Sequence, residues 1–124
     1  MPVMRNHSET RTFTTSGPFG VADVTDDVEQ VLGASGIRAG HVTICTSDPG
    51  CTLIVNEKET GLIADIKEAA GRLGNGATTP PLGSASVMLP AIDGSLGLGQ
   101  WQRVLLVELD SESSRSVVVQ IVGD

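Results

Sequence analysis

The sequence has no Tyr, two Phe and one Trp. Three aromatics cannot build the stacking platforms that hold single-stranded nucleic acids. Positive charge is also scarce. Lys and Arg total 8 against 15 Asp and Glu, for a net charge of −7. That balance argues against a broad phosphate-binding face, and so against nucleic acid as a partner. Cys45 and Cys51 are the only cysteines, too few for the disulfide framework of a small secreted domain. The longest apolar runs, such as Val104–Val107, fall far short of the roughly 20 residues of a membrane span. Residues Met1–Arg11 are polar and mixed in charge, without the apolar stretch of a secretory signal. These absences predict a cytoplasmic protein with reduced thiols. A Cys45–Cys51 bridge across the Asp48-Pro49-Gly50 turn stands as the alternative.

Apolar residues make up 40% of the 124, enough for one core. We expect a flexible segment over 1–10 and a single domain over 11–124. Phe13 among Thr12, Thr14 and Thr15 reads as a first strand. A helix starts near Thr25, its expected N-cap, with Asp26 and Asp27 favoured by the dipole. Val24, Val28, Val31 and Leu32 share its apolar face, and Gly36 is the expected C-cap. His41–Thr46 and Cys51–Asn56 read as neighbouring strands. A second helix spans Thr60–Leu73, capped by Thr60. Leu62, Ile63, Ile66, Ala69, Ala70 and Leu73 form its stripe, and Gly74-Asn75-Gly76 ends it. Ala77–Ser84 is a loop. Strands follow at Ser86–Leu89, Ser95–Leu98, Gln102–Leu109 and Ser116–Val122, with Asp93-Gly94 as a hairpin turn. The run Val104–Val107 predicts burial on both faces. The order predicts an α+β fold, with seven or eight short strands and two helices.

Three segments stand out together: Val24-Thr25-Asp26-Asp27-Val28, Asn56-Glu57 before the second helix, and Leu98-Gly99-Gln100-Trp101-Gln102 before two β-rich strands. In this combination the sequence resembles the YjbQ-like family, whose members are often labelled secondary thiamine-phosphate synthase enzymes. The resemblance covers about Arg11 to Gly123. It implies a β-sandwich with helices packed on it, assembled as a homotrimer with a polar site near the subunit contact. Family histidines associated with metal or anion binding have no counterpart here. The first falls on Asp48, and the loop 74–81 holds neither His nor Lys. Asn56, Glu57, Trp101 and Gln102 match family positions.

Each candidate has a structural alternative. Asp48 sits in Ser-Asp-Pro-Gly, which is turn chemistry by composition. Glu57 is a candidate general base, or a carboxylate favoured near a helix N-terminus. The amide of Asn56 either holds a loop or contacts a ligand. Trp101 either lines a pocket, with Gln102 beside it, or packs in a core or an interface, as large aromatics more often do. His41, Cys45, Asp48, Cys51 and Glu57 are near enough in sequence to suggest a rebuilt metal site, but no zinc-ligand spacing is present. Two thiols packed as small hydrophobes are the favoured reading. The resulting expectation has no metal and no cofactor. It is a homotrimeric small-ligand-binding or interaction protein, with Asn56, Trp101 and Gln102 as ligand-binding candidates and a small polar or phosphorylated molecule as ligand. The alternative is a weak thiamine-phosphate synthase-like enzyme using Asp48, Asn56 and Glu57, of which Glu57 and Asp48 are the catalytic candidates.

Overall fold

The computed structural model describes residues 3–73 and 83–124. Among them are eight strands and two helices. In chain order these are β1 (Arg5–Thr14), β2 (Val21–Asp23), α1 (Thr25–Ser35), β3 (Gly40–Cys45), β4 (Cys51–Glu57) and α2 (Thr60–Leu73). Then come β5 (Ser86–Ile92), β6 (Ser95–Leu96), β7 (Gln102–Glu108) and β8 (Ser114–Gly123). The strands form a five-stranded sheet in the order β1-β8-β3-β5-β6 and a three-stranded sheet in the order β2-β7-β4. Every strand pairing described is antiparallel. The expected α+β class with two helices is therefore observed.

One core joins the two sheets and α1. Val117, Val119 and Ile121 of β8 alternate inward with Val42 and Ile44 of β3. Leu53, Val104 and Leu106 face them from the smaller sheet, and Val24, Val28, Val31 and Leu32 come from the start and body of α1. The run Val104–Val107 is fully buried. Since successive residues of a strand point to opposite faces, Leu105 and Val107 are covered on the side away from this core.

Some local expectations are corrected. The segment read as loose over 1–10 contributes six residues to β1, because Arg5–Thr10 pair with β8 from Val118 to Gly123. Thr25 is the first residue of α1, not its cap. Its amide is held by Asp23 Oδ1 at 2.9 Å, while its hydroxyl accepts the Val104 amide at 2.8 Å. Likewise, Glu59 accepts the amides of Gly61 and Leu62 at the start of α2, where Thr60 was expected to cap. Gly36 does adopt the left-handed conformation at the end of α1, with φ +70°. Asp93 and Gly94 both have positive φ, the backbone of a tight hairpin turn between β5 and β6. The side chains of Ala70 and Leu73, the helix stop at 74–76 and the loop at 77–82 lie outside the described residues. Cys45 and Cys51 are both free thiols.

The two faces of the larger sheet differ in chemistry. On its core side the edge strand β1 carries His7, Glu9 and Arg11, opposite Ile121, Val119 and Val117. Glu9 accepts from His7 at 2.8 Å and from Arg11 at 3.2 Å. Inward-pointing charges of this kind discourage a second sheet from adding to the edge. On the other side, β1, β8, β3 and β5 present no Asp, Glu, Lys or Arg between Asn6 and Thr14, Ser114 and Val122, His41 and Cys45, or Ser86 and Ile92. Val118, Val122, Met88 and Ile92 stand exposed there.

Candidate functional site

The register of β4 on β7 gathers most of the sequence candidates at one end of the smaller sheet. Asn56 lies opposite Arg103 and Glu57 opposite Gln102, with Trp101 next to it in the preceding turn. β2 adds Asp23, which pairs with Leu105 two residues along from Arg103. Asp23 Oδ2 accepts from Arg103 Nε at 2.8 Å and lies 3.8 Å from Lys58 Nζ. Arg103 also donates to Asp26 at 2.9 Å. Burial pushes the carboxyl of Asp23 up, but bonds from Arg103 and Thr25 outweigh it and hold it below the ordinary value. The bonds to Asp23 and Asp26 push Arg103 up in turn. Both cations at this end of the sheet are thus paired with carboxylates.

Trp101 is 67% exposed. Its position in an exposed turn takes the sole Trp out of the core of the chain and leaves the pocket and interface readings. Gly99 accepts the Gln102 amide at 3.1 Å, and Gln102 Oε1 accepts the Gly99 amide at 2.8 Å. Gln102 therefore closes the turn that presents the indole. The side chain of Asn56 also acts locally, its Oδ1 accepting the Glu57 amide at 2.9 Å. An open cleft of about 500 Å³ lies against the ring, lined by Glu57, Lys58, Glu59 and Trp101. A neighbouring hollow of about 350 Å³ is lined by Asp23, Lys58, Gln100, Trp101 and Arg103. A concave surface with one aromatic and a few charged groups suits a small polar molecule.

Asp48 is placed elsewhere. It precedes β4 and Glu57 ends it, and six residue steps of strand separate the two ends by about 20 Å. Within one chain, Asp48 and Glu57 do not share a site. Asp48 belongs to a polar cluster in which Glu108 and Arg115 are buried and its own carboxylate is half-buried at the rim. Its Oδ1 accepts the Gly50 amide at 2.9 Å and its Oδ2 accepts from Arg115 at 2.7 Å. Arg115 also grips Glu108 with two nearly parallel bonds, at 2.8 and 2.6 Å. Thr15 donates its hydroxyl to Glu108, and the Asp110 amide donates at 3.1 Å. Glu108 is fully buried. Burial pushes its carboxyl up, yet the bonds from Arg115, Thr15 and Asp110 prevail and hold it below the usual range. The Gly50 amide and Arg115 do the same for Asp48. A Cβ at Gly50 would enter the space of the Arg115 guanidinium and displace it from its carboxylates.

This cluster does not fit a metal. The carboxylate standing at the first family histidine position is already committed to a guanidinium and an amide. Cys51 contacts Thr46 at 3.5 Å, and burial pushes its thiol up, against thiolate ligation. His41 and His7 lie on opposite faces of the larger sheet. Among the described residues, no three His, Cys, Asp or Glu side chains are grouped to hold an ion. Asp23, Arg103, Glu108 and Arg115 were not among the sequence candidates.

The fold and the cleft define a class: a small α+β domain of two antiparallel sheets, with an open aromatic-lined hollow at the end of the smaller one. A family model described as "UPF0047 protein YjbQ-like" matches residues 9–80 and 78–124. The chain belongs to this family. It is 33% identical to a UPF0047 protein of Archaeoglobus fulgidus, over 88% of this chain and 96% of that one. A UPF0047 protein of Methanothermobacter thermautotrophicus is 29% identical over 88% and 87%. Among solved structures, a YbjQ-like protein of unknown function from Sulfolobus solfataricus P2 superposes with a TM-score of 0.90. It is 28% identical, with 98% of this chain and 100% of that one covered. A hypothetical protein from Aeropyrum pernix K1 gives a TM-score of 0.85 at 28% identity, covering 94% and 98%.

Proposed function

We propose that this chain is a cytoplasmic binding protein that takes a small polar ligand against Trp101 and works without a resident metal. The observation that carries the reading is the exposed indole over the 500 Å³ cleft. A large aromatic held out of the core loses the burial that would stabilise it, and a bound ligand restores that burial. Glu57 has a place in this cleft as a ligand contact, whereas Asn56 and Gln102 shape the backbone around it. A thiamine-phosphate synthase-like activity through Asp48, Asn56 and Glu57 is disfavoured within one chain, because Asp48 precedes β4 while Asn56 and Glu57 lie at its other end, six residue steps or about 20 Å along. Phosphate chemistry also wants cationic help, and Lys58 and Arg103 are both held on Asp23.

The single Trp gives one indole N–H resonance, so a panel of small polar molecules can be screened directly. The panel comprises choline, a primary amine, a polyol, inorganic phosphate and thiamine phosphate. We expect at least one to shift the Trp101 signal saturably, and Glu57→Ala to weaken that binding. A panel without any saturable shift overturns the reading.

The same proposal includes self-association as a homotrimer, the number three coming from the family resemblance. Its support is the uncharged outer face of the larger sheet, where Val118, Val122, Met88 and Ile92 stand exposed on a molecule of net charge −7. A second copy would meet no like charge on that face. Light scattering at micromolar concentration is expected to give three times the 12.8 kDa chain mass. Val118→Lys, at the centre of the face, is expected to reduce it to the chain mass. A monomer mass for the unaltered protein removes this part of the proposal.

A further inference from the structure

We infer that the ligand of the Trp101 cleft is an organic cation, an amine or quaternary ammonium group seated on the indole face. The inference rests on the cleft being the binding site and adds the charge class of its occupant. Three observations point the same way. First, the cleft pairs an exposed indole with the carboxylates of Glu57 and Glu59. The face of an indole is negative and attracts alkylated ammonium groups, most strongly among the aromatic side chains. Neighbouring carboxylates add to that attraction.

Second, the positive groups nearby are engaged. Lys58 is the cleft's only lining cation among the described residues, and its ammonium lies 3.8 Å from Asp23, which lines the adjoining hollow. Arg103 is held between Asp23 and Asp26. An anionic ligand would compete with Asp23 and Asp26 for these cations. A cationic one leaves them in place. Third, the net charge of −7 raises the concentration of cations near the whole surface. Glu59 accepts the Gly61 and Leu62 amides, so its carboxylate is fixed in position. Glu57 is exposed, and its carboxylate can close over a bound group.

The test compares choline with 3,3-dimethylbutan-1-ol, its neutral isostere, and with inorganic phosphate, each titrated against the Trp101 indole resonance. Choline is expected to bind at least about fivefold tighter than the isostere. Glu57→Gln is expected to weaken choline severalfold without changing the isostere, and Lys58→Met to strengthen it. Equal binding of choline and isostere overturns the inference, as does binding of phosphate in place of choline. If choline gives no shift while another, uncharged or anionic, member of the wider panel does, the cation inference falls and the cleft reading survives. If nothing in the panel shifts the indole, both fall.

Discussion

Arg115→Ala is expected to lower the free energy of unfolding by about 3–5 kcal/mol, because it strands a buried carboxylate. Glu108 is fully buried and receives two of the guanidinium's bonds. Removing the guanidinium leaves the Thr15 hydroxyl and the Asp110 amide to hold a full negative charge away from water. Urea unfolding followed by far-UV circular dichroism measures the loss. The double variant Arg115→Met with Glu108→Leu is expected to recover most of it, since a well-packed apolar pair can replace a buried ion pair at little loss. If Arg115→Ala is within about 0.5 kcal/mol of the parent, as ordinary surface substitutions are, Glu108 and Arg115 are not buried in solution.

The same cluster sets the response to acid. Glu108 and Asp48 both have carboxyl groups held below their ordinary values in the folded chain. A carboxyl depressed by folding stabilises the native state at every pH above its unfolded value, about 4. That contribution declines as pH falls below this value and is lost as pH passes through the folded value. The urea midpoint should therefore hold steady down to about pH 5 and then drop steeply. Glu108→Gln should flatten the drop while lowering the plateau. A parent protein whose midpoint is unchanged between neutral pH and about pH 3 contradicts the assignment.

Leu105→Ala and Leu106→Ala are each expected to destabilise the chain by about 2–5 kcal/mol, through lost burial and the cavity left behind. The comparison is informative because the two side chains point to opposite faces of β7. Leu106 belongs to the core between the sheets. Leu105 is equally buried but faces away from it. A near-neutral Leu105→Ala, beside a costly Leu106→Ala, would mean that the outer face of the smaller sheet opens in solution. Equal losses would establish that both faces are covered.

Local signals carried much of the fold. The spacing of Val24, Val28, Val31 and Leu32 is a helix period, and all four are buried. The Val104–Val107 run and the Asp93-Gly94 turn were equally readable. β2 was not, since three residues have too little pattern to stand out and take their conformation from pairing with β7. The site was legible in part. Asn56, Glu57, Trp101 and Gln102 lie on two segments that β4–β7 pairing brings together. Asp48 was drawn into the same group because it stands at the first family histidine position, whereas the strand direction carries it to the far end.

The Glu108–Arg115 pair did carry a signal. Arg115 stands in phase with Val117, Val119 and Ile121, and Glu108 in phase with Val104 and Leu106. Opposite charges on two inward faces each need a partner, and each is the other's. What sequence alone could not supply was the packing that brings those two strands together.

The placement of β8 has a consequence for biogenesis. It is the last of the eight strands in chain order, yet it runs between β1 and β3. While a ribosome is still making residues 114–123, β1 has no strand of the larger sheet to pair with and β3 is paired on one side only, with β5, so the two edges that β8 will join stay open. Assembly of the larger sheet must then wait for the final strand and close a loop of about a hundred residues, which is slow for reasons of topology. Nascent chains stalled before that strand should be the species that chaperones hold and proteases remove.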